Sequence, residues 1–164
     1  MKNYKSVIIA TSFPVLGSIL IITSLAPIKL ISFSEMSPDF LFCFIFICLF
    51  QFPKNTPLIS ILYLSLLADF LWFRPVGLTT LTTIIGSEFM RWLLRARIQI
   101  GLFEELIYVT FILLISITFN ELIKFFTLVP SVAISYIIEY IFVTLVAYLL
   151  IILIMKGIMK KRLI

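Results

Sequence analysis

The chain has 164 residues, of which 62% are hydrophobic, a mean hydropathy of +1.22 and a formal net charge of +5. Because a soluble domain is about 45–50% apolar, this composition predicts an integral membrane protein with one domain, residues 1–164. The basic residues stand in short clusters between apolar stretches, a pattern that indicates membrane topology and argues against nucleic-acid binding.

Residue types that build common catalytic and metal sites are scarce. The chain has no histidine, which excludes a Ser/His mechanism. The two cysteines, Cys43 and Cys48, lie five residues apart in one apolar run. That spacing does not place them on one helix face, so we interpret both as small apolar packing residues. No P-loop, dinucleotide-binding or zinc-protease motif is present. We therefore expect no metal site and no cofactor.

Six apolar segments are predicted to be membrane-spanning helices, since one crossing needs about 20 apolar residues. They cover approximately residues 6–25, 38–52, 57–73, 78–94, 102–119 and 132–155. The first is too long for the apolar run of a cleaved signal peptide and is interpreted as a retained helix. The second is short and begins at Ser37-Pro38-Asp39, where Ser37 fits an N-cap, Pro38 the first helical position, and Asp39 complements the helix dipole.

The third segment carries the most informative residues. Asp69 lies near its end and is followed by Trp72-Phe73, Arg74 and Pro75-x-Gly77. An acid in an apolar span is costly to bury and is usually functional or paired. The aromatic pair is typical of the headgroup level, and the proline and glycine predict a tight turn into the next helix.

The fourth segment contains four threonines and the pair Glu88 and Arg91, which are three residues apart and can pair along one helix face. We expect it to be shielded from lipid by its neighbours or to lie partly at the interface. Glu104 and Glu105 suit the N-terminus of the fifth helix.

Six spans place both termini on the same side of the membrane. Ten of the 13 basic residues then lie on that side, and only Lys29, Arg74 and Lys124 lie on the other. The positive-inside rule therefore predicts that both termini are cytoplasmic.

Three acids are predicted to lie towards the outer face: Asp39, Asp69 and Glu139. Asp69 could ligate an ion, relay a proton or bind a partner, but pairing with Arg74 or a hydrogen bond from Ser65 is favoured. For Asp39 a capping role is favoured. Glu139 has no charged neighbour on its own helix and most needs a partner from another helix. The candidate partner-binding or structural polar cluster comprises Asp39, Asp69, Arg74, Pro75, Gly77 and Glu139.

Part of the chain resembles the MreD family, rod-shape-determining membrane proteins of the bacterial cell elongation machinery. The resemblance is carried by Ser37-Pro38-Asp39-Phe40, Leu67-Ala68-Asp69-Phe70 and Pro75-x-Gly77-Leu78. The family typically has Arg-Pro-Asp and aromatics at the first site, then a leucine-rich run into an Asp, then Pro-x-Gly. The chain departs from the pattern at Ser37, where the family has Arg, and at Thr79 and Thr80, where it often has His.

The resemblance implies an all-α, non-enzymatic scaffold of the rod complex (elongasome) in the bacterial inner membrane. Its six-helix architecture would be similar to that of the substrate-binding subunits of energy-coupling-factor transporters. The implied partners are the single-span MreC, the peptidoglycan glycosyltransferase with its penicillin-binding protein, MreB, and membrane lipid. The MreC helix would dock in a groove whose outer side is shaped by Asp39, Asp69 and Arg74, and the complex would control peptidoglycan synthesis and cell shape.

Two other functions stay open. The same architecture could bind a small ligand as the substrate-binding subunit of an energy-coupling-factor vitamin transporter, with the outer polar cluster supplying part of the site. Against this, directional polar groups are few, with three asparagines, two glutamines and no histidine in the chain. A lipid-interacting or assembly scaffold of another pathway is the third interpretation.

Overall fold

A computed structural model of the chain describes residues 2–24, 38–53, 55–72, 75–96, 101–126 and 133–161. Within these ranges the fold is all-helical, with six helices and no strand, so the predicted fold class is confirmed at this level. The helices are α1 (Lys2–Ser24), α2 (Phe40–Gln51), α3 (Leu58–Leu71), α4 (Leu78–Ala96), α5 (Leu102–Phe126) and α6 (Ile134–Lys161).

Two of the described helices are long and apolar enough to cross a bilayer. They are Leu102–Phe126, which is all of α5, and Ile134–Met155 within α6. Among the described side chains, shorter apolar helical stretches lie at Ser12–Ser24, Phe40–Gln51 and Leu58–Leu71. Membrane crossing by the six helices and the location of both termini stay predictions.

Helix ends differ from the predicted spans where polar residues are paired within the helix. The fifth span is predicted to end near Phe119, yet α5 continues to Phe126. The Asn120 side chain donates to the Ser116 carbonyl oxygen at 2.8 Å, and Lys124 pairs with Glu121 at 2.6 Å. Because residues three and four apart are neighbours on a helix surface, these polar groups are compatible with another two turns.

The centre of the molecule is α2, which packs against α1, α4 and α6. Its sequence FLFCFIFICLFQ is apolar on every side, as expected of a helix enclosed by others. Six of its twelve residues are buried, namely Leu41, Cys43, Ile45, Phe46, Ile47 and Leu49. These residues form the core that positions the surrounding helices.

Side-chain contacts define two ends of the bundle. At one, here called the Asp39 end, the hydroxyl of Tyr140 near the start of α6 donates to Asp39 at the start of α2. At the opposite Arg91 end, Arg91 in the second half of α4 donates to the Thr56 carbonyl oxygen, just before α3. The helices α2, α4 and α6 therefore begin at the Asp39 end, where α3 and α5 finish.

Candidate functional site

A cavity of about 320 Å³ lies at the Asp39 end among α2, α3, α4, α5 and α6. Its lining is largely apolar and includes the buried residues Leu41, Ile45, Ala68 and Leu113. Its polar lining groups are Asp39, Ser65, Thr79, Thr82, Thr83, Ser116, Asn120, Glu121, Lys124, Tyr136 and Tyr140. Ligand sites are commonly concave, largely apolar and marked by a few convergent polar groups, so this cavity is the candidate functional site.

Asp39 joins the first turn of α2 to α6. One carboxylate oxygen accepts from the backbone N–H of Phe42 at 2.9 Å, and the other accepts from the Tyr140 hydroxyl at 3.0 Å. The backbone N–H of Asp39 itself lies 3.3 Å from the Thr144 hydroxyl oxygen. The predicted capping role of Asp39 is thereby confirmed. The predictions of Ser37 as N-cap and Pro38 as first helical residue are wrong, because α2 begins at Phe40 with Asp39 as its N-cap.

Asp69 is completely buried at the end of α3 and caps α4. Its Oδ2 atom accepts hydrogen bonds from the backbone N–H groups of Gly77 and Thr80, at 3.0 and 3.3 Å, and from the Thr80 hydroxyl at 2.9 Å. Ser65 does not donate to Asp69, since its hydroxyl donates to the carbonyl oxygens of Ile61 and Leu62. Among the described residues, Oδ1 of Asp69 has no hydrogen-bond partner.

The backbone of the turn between α3 and α4 directs N–H groups towards the Asp69 carboxylate. Gly77 has φ +93°, a left-handed conformation that glycine adopts without a Cβ penalty. Pro75 lines the cavity and accepts a hydrogen bond from the Leu78 N–H at 3.2 Å. The predicted tight turn is confirmed. Arg74, the proposed partner of Asp69, lies outside the described residues, as does Lys29.

Glu139 stands apart from the cavity. It is half-buried near the start of α6, and it forms no hydrogen bond or ion pair with the described parts of the chain. Thr144 faces α2, and Glu139 lies about 140° around the helix from it at about 100° per residue. The predicted cluster therefore does not form one site: Asp39 borders the cavity, Asp69 lies beneath the neighbouring turn, and Glu139 faces away.

Several residues of the cavity wall are not conspicuous in the sequence. Of Asn120, Glu121, Lys124, Tyr136 and Tyr140, only Lys124 is placed by the sequence pattern, as a basic residue on the outer side. The two tyrosines belong to a four-residue repeat on α6, where Tyr136, Tyr140, Thr144 and Tyr148 recur along one face of an apolar helix. Such a polar stripe indicates a face directed inward.

A second buried polar contact lies towards the Arg91 end. Glu105 is 6% exposed, and the Tyr148 hydroxyl, which is fully buried, donates to its Oε1 at 2.9 Å. The predicted position of Glu105 in the first turn of α5 is confirmed. Its role is not only dipole complementation at a solvated helix end, because it also joins α5 to α6 inside the bundle.

Glu88 and Arg91 form the predicted pair, with 3.0 Å between Arg91 Nη1 and Glu88 Oε1. No group of three or more Cys, Asp or Glu side chains in the described ranges is placed to hold a metal ion. Comparison with protein-family models, with curated proteins and with solved structures found no match to the chain.

Proposed function

We propose that the chain is a multi-pass protein of the bacterial inner membrane with both termini in the cytoplasm. Large apolar side chains are exposed along α1, α5 and α6, far beyond the patches that a soluble surface usually carries. The two helices long enough to cross a bilayer and the asymmetric distribution of basic residues support the same environment. The Asp39 end would then face the periplasm.

Its proposed role is that of a non-enzymatic scaffold of the rod complex, as in the MreD family, binding a single-span partner of MreC type. The observation that carries this proposal is Glu139. A half-buried carboxylate in an apolar segment, with no partner in the described structure, requires a donor from elsewhere. A second protein's helix beside α6 would supply that donor.

The surface of α6 around Glu139 is suited to packing against the membrane helix of a partner protein. Exposed apolar residues continue its face down α6 at helical spacing, at Phe142, Val146, Leu149, Leu150 and Leu153. An apolar stripe with one carboxylate offers both van der Waals contact and an interhelical hydrogen bond, the two sources of helix association in lipid. Interhelical hydrogen bonds of this kind contribute about 0.6–2 kcal/mol.

The test is a gentle-detergent purification of the tagged protein from its native membranes, with partners identified by mass spectrometry. We expect a single-span MreC-like protein, with or without the wall synthases, and at least threefold less of it with Glu139→Gln at equal protein levels. Glu88→Gln is the matched control, since it removes a carboxylate at the other end of the bundle. Undiminished recovery with Glu139→Gln would remove this face from the interface.

The cavity favours a second candidate function, that of a substrate-binding subunit in an energy-coupling-factor type transporter. A volume of about 320 Å³ falls at the lower end of the range for small-molecule sites. The same purification separates the two candidates. Recovery of a coupling membrane subunit together with ATPases would support the transporter and overturn the scaffold.

A further inference from the structure

A second cavity, of about 310 Å³, follows one face of the central helix α2 and is here called the α2 groove. Four lining residues recur every four positions along α2 and its C-cap, and all are half-buried: Phe40, Phe44, Cys48 and Phe52. Helices α1 and α6 supply most of the remaining lining. The described parts of these two helices pack against α2 and have no extended contact with each other. One face of the central helix is therefore left uncovered between them.

The α2 groove offers no open polar group to a ligand. Among its described lining residues none is charged, and the two hydroxyl groups belong to Ser12 and Thr56. The Thr56 hydroxyl donates to the Phe52 carbonyl oxygen at 3.3 Å, and Ser12 also has a partner within the chain. Ordered water needs two to four polar partners, so water is a poor occupant of this space. The lining selects hydrocarbon.

The groove connects the core to the surface that the proposed membrane would cover. Leu16 lines the groove and is 53% exposed, whereas Phe13 and Ile47, which also line it, are buried. Exposed apolar side chains continue outward on both flanking helices, at Val15 and Ile19 of α1 and at Leu153 and Ile154 of α6. Hydrocarbon can therefore enter the groove sideways from the bilayer.

The dimensions of the groove fit one lipid chain. The 12 residues of α2 extend about 18 Å at 1.5 Å per residue, and one leaflet contributes about 15 Å to the hydrocarbon core. A helix of the same length and about 10 Å in diameter would occupy on the order of 1,400 Å³. That is more than four times the volume of the groove. A single acyl chain is therefore a better occupant than a helix of a partner protein.

The sequence adds positive charge beside one end of the groove. Phe52, Thr56 and Met155 belong to the lining at the Arg91 end. In the sequence, Lys54 lies between the first two of these residues, and Lys156 follows Met155 directly. Basic residues next to a membrane surface attract anionic headgroups, and none of the described lining residues is acidic. The Arg91 end of the groove therefore favours an anionic lipid.

We infer that the α2 groove binds one acyl chain of an anionic phospholipid, with the chain along the stripe from Phe40 to Phe52 and the headgroup at the Arg91 end. The bound chain fills the space between α1 and α6 and so becomes part of the packing of the bundle. The inference depends on the proposed membrane location, and it does not depend on the scaffold role.

Native mass spectrometry of the full chain in a maltoside detergent counts bound lipids directly. The protein would be titrated with palmitoyl-oleoyl phosphatidylglycerol. Dihexanoyl phosphatidylglycerol keeps the headgroup on chains too short to follow α2, and palmitoyl-oleoyl phosphatidylcholine keeps the chains without the net charge. We expect one lipid to bind before all others, with at least tenfold weaker binding of the short-chain lipid and at least threefold weaker binding of phosphatidylcholine.

Filling the groove should displace the lipid without unfolding the protein. Cys48→Phe places a ring in the space, so binding of the first phosphatidylglycerol should weaken at least fivefold. Thr118→Phe, the same enlargement at an exposed position of α5, is the matched control and should leave binding unchanged. In lipid-free detergent we expect Cys48→Phe to unfold at or above the midpoint of the unaltered protein. Added phosphatidylglycerol should then raise the midpoint of the unaltered protein alone.

A second variant tests the headgroup without changing the groove. Lys54→Gln/Lys156→Gln should remove the preference for phosphatidylglycerol over phosphatidylcholine, while long chains still bind better than short ones. Undiminished lipid binding by a folded Cys48→Phe, or equal binding of the short-chain lipid, would overturn the inference. So would equal binding of the two headgroups by the unaltered protein.

Failure of the proposed membrane location has a different signature. The chain would then be recovered from lysed cells without detergent, whereas failure of the inference leaves it in the membrane fraction with no distinct bound lipid. Neither lipid result decides which proteins are recovered in the partner purification, so the scaffold proposal fails separately.

Discussion

The carboxylate of Asp69 and the hydroxyl of Thr80 lie 2.9 Å apart and connect the last turn of α3 to the first turn of α4. The same carboxylate oxygen accepts from two backbone N–H groups that would otherwise be unpaired at the helix start. The acid that is most conspicuous in the sequence therefore serves as a helix cap supplied by the preceding helix. Its buried charge is stabilised by the N-terminus of α4.

Replacing Asp69 should loosen this connection. Asp69→Ala removes three hydrogen bonds and leaves the N–H groups of Gly77, just before α4, and Thr80, within it, unsatisfied, so we expect a loss of about 2 kcal/mol in the free energy of unfolding. Thermal unfolding in detergent, followed by circular dichroism, measures it. Glu88→Ala, which removes a half-exposed carboxylate, is the control. Equal unfolding midpoints for the two variants would contradict the capping role.

Replacing Gly77 tests how much the backbone conformation of the same turn contributes to stability. A Cβ at this position would meet no atom within 4 Å, so the effect of Gly77→Ala comes from its φ of +93°. The left-handed conformation should make this variant about 1–2 kcal/mol less stable. Gly101→Ala is the matched control, because Gly101 also has open space around a Cβ but no positive φ. We expect that variant to unfold at or above the midpoint of the unaltered protein.

Gly86 sets the spacing between α4 and α5. A Cβ there would lie 2.6 Å from Cγ2 of Ile112 and 3.3 Å from the Phe46 ring. Since Cγ2 branches directly from the Ile112 Cβ, it cannot move far without its backbone. Gly86→Ala should destabilise the protein by about 1–3 kcal/mol. The double variant Gly86→Ala/Ile112→Ala should lose less free energy of unfolding than the two single variants lose together. A loss equal to that sum would argue against a direct clash.

Arg91 connects α4 to the segment before α3 at the Arg91 end of the bundle. Its Nη2 atom donates to the Thr56 carbonyl oxygen at 2.5 Å, while Nη1 holds Glu88. A lysine cannot reproduce this planar fork. We therefore expect Arg91→Lys to accelerate amide hydrogen exchange at residues 55–60 and to lower stability by about 1 kcal/mol. Arg95→Lys, at an exposed position, is the control and should leave exchange there unchanged.

The order of the helices could be predicted because the apolar runs are bounded by charged or turn-forming residues. The ends were harder to place where polar residues find partners inside the helix. Asn120, Glu121 and Lys124 resemble a helix terminus, yet their bonds three and four residues apart keep them within α5. Only coordinates reveal whether such residues end a helix or line its inner face.

The cavity could not have been predicted in the same way, because five helices contribute to it. Its position depends on the angles at which they pack, and no single segment specifies those angles. The Asp69 contacts were missed for a related reason. The sequence suggested Ser65 and Arg74 as partners, but the first turn of α4 returns to α3 and provides donors that were not predicted. Local spacing predicts neighbours within a helix, whereas it does not show which turn closes over a side chain.

The shortness of α2 affects how an electric field would cross the molecule. Its 12 residues extend about 18 Å at 1.5 Å per residue, against a hydrocarbon thickness of about 30 Å. The cavity bordered by Asp39 lies at one end of this helix, and the Thr56 carbonyl, bonded to Arg91, lies just beyond the other. In the proposed membrane, most of the transmembrane voltage would fall across this thin apolar layer. A charge in the cavity would experience that gradient more steeply than a charge in the surrounding lipid.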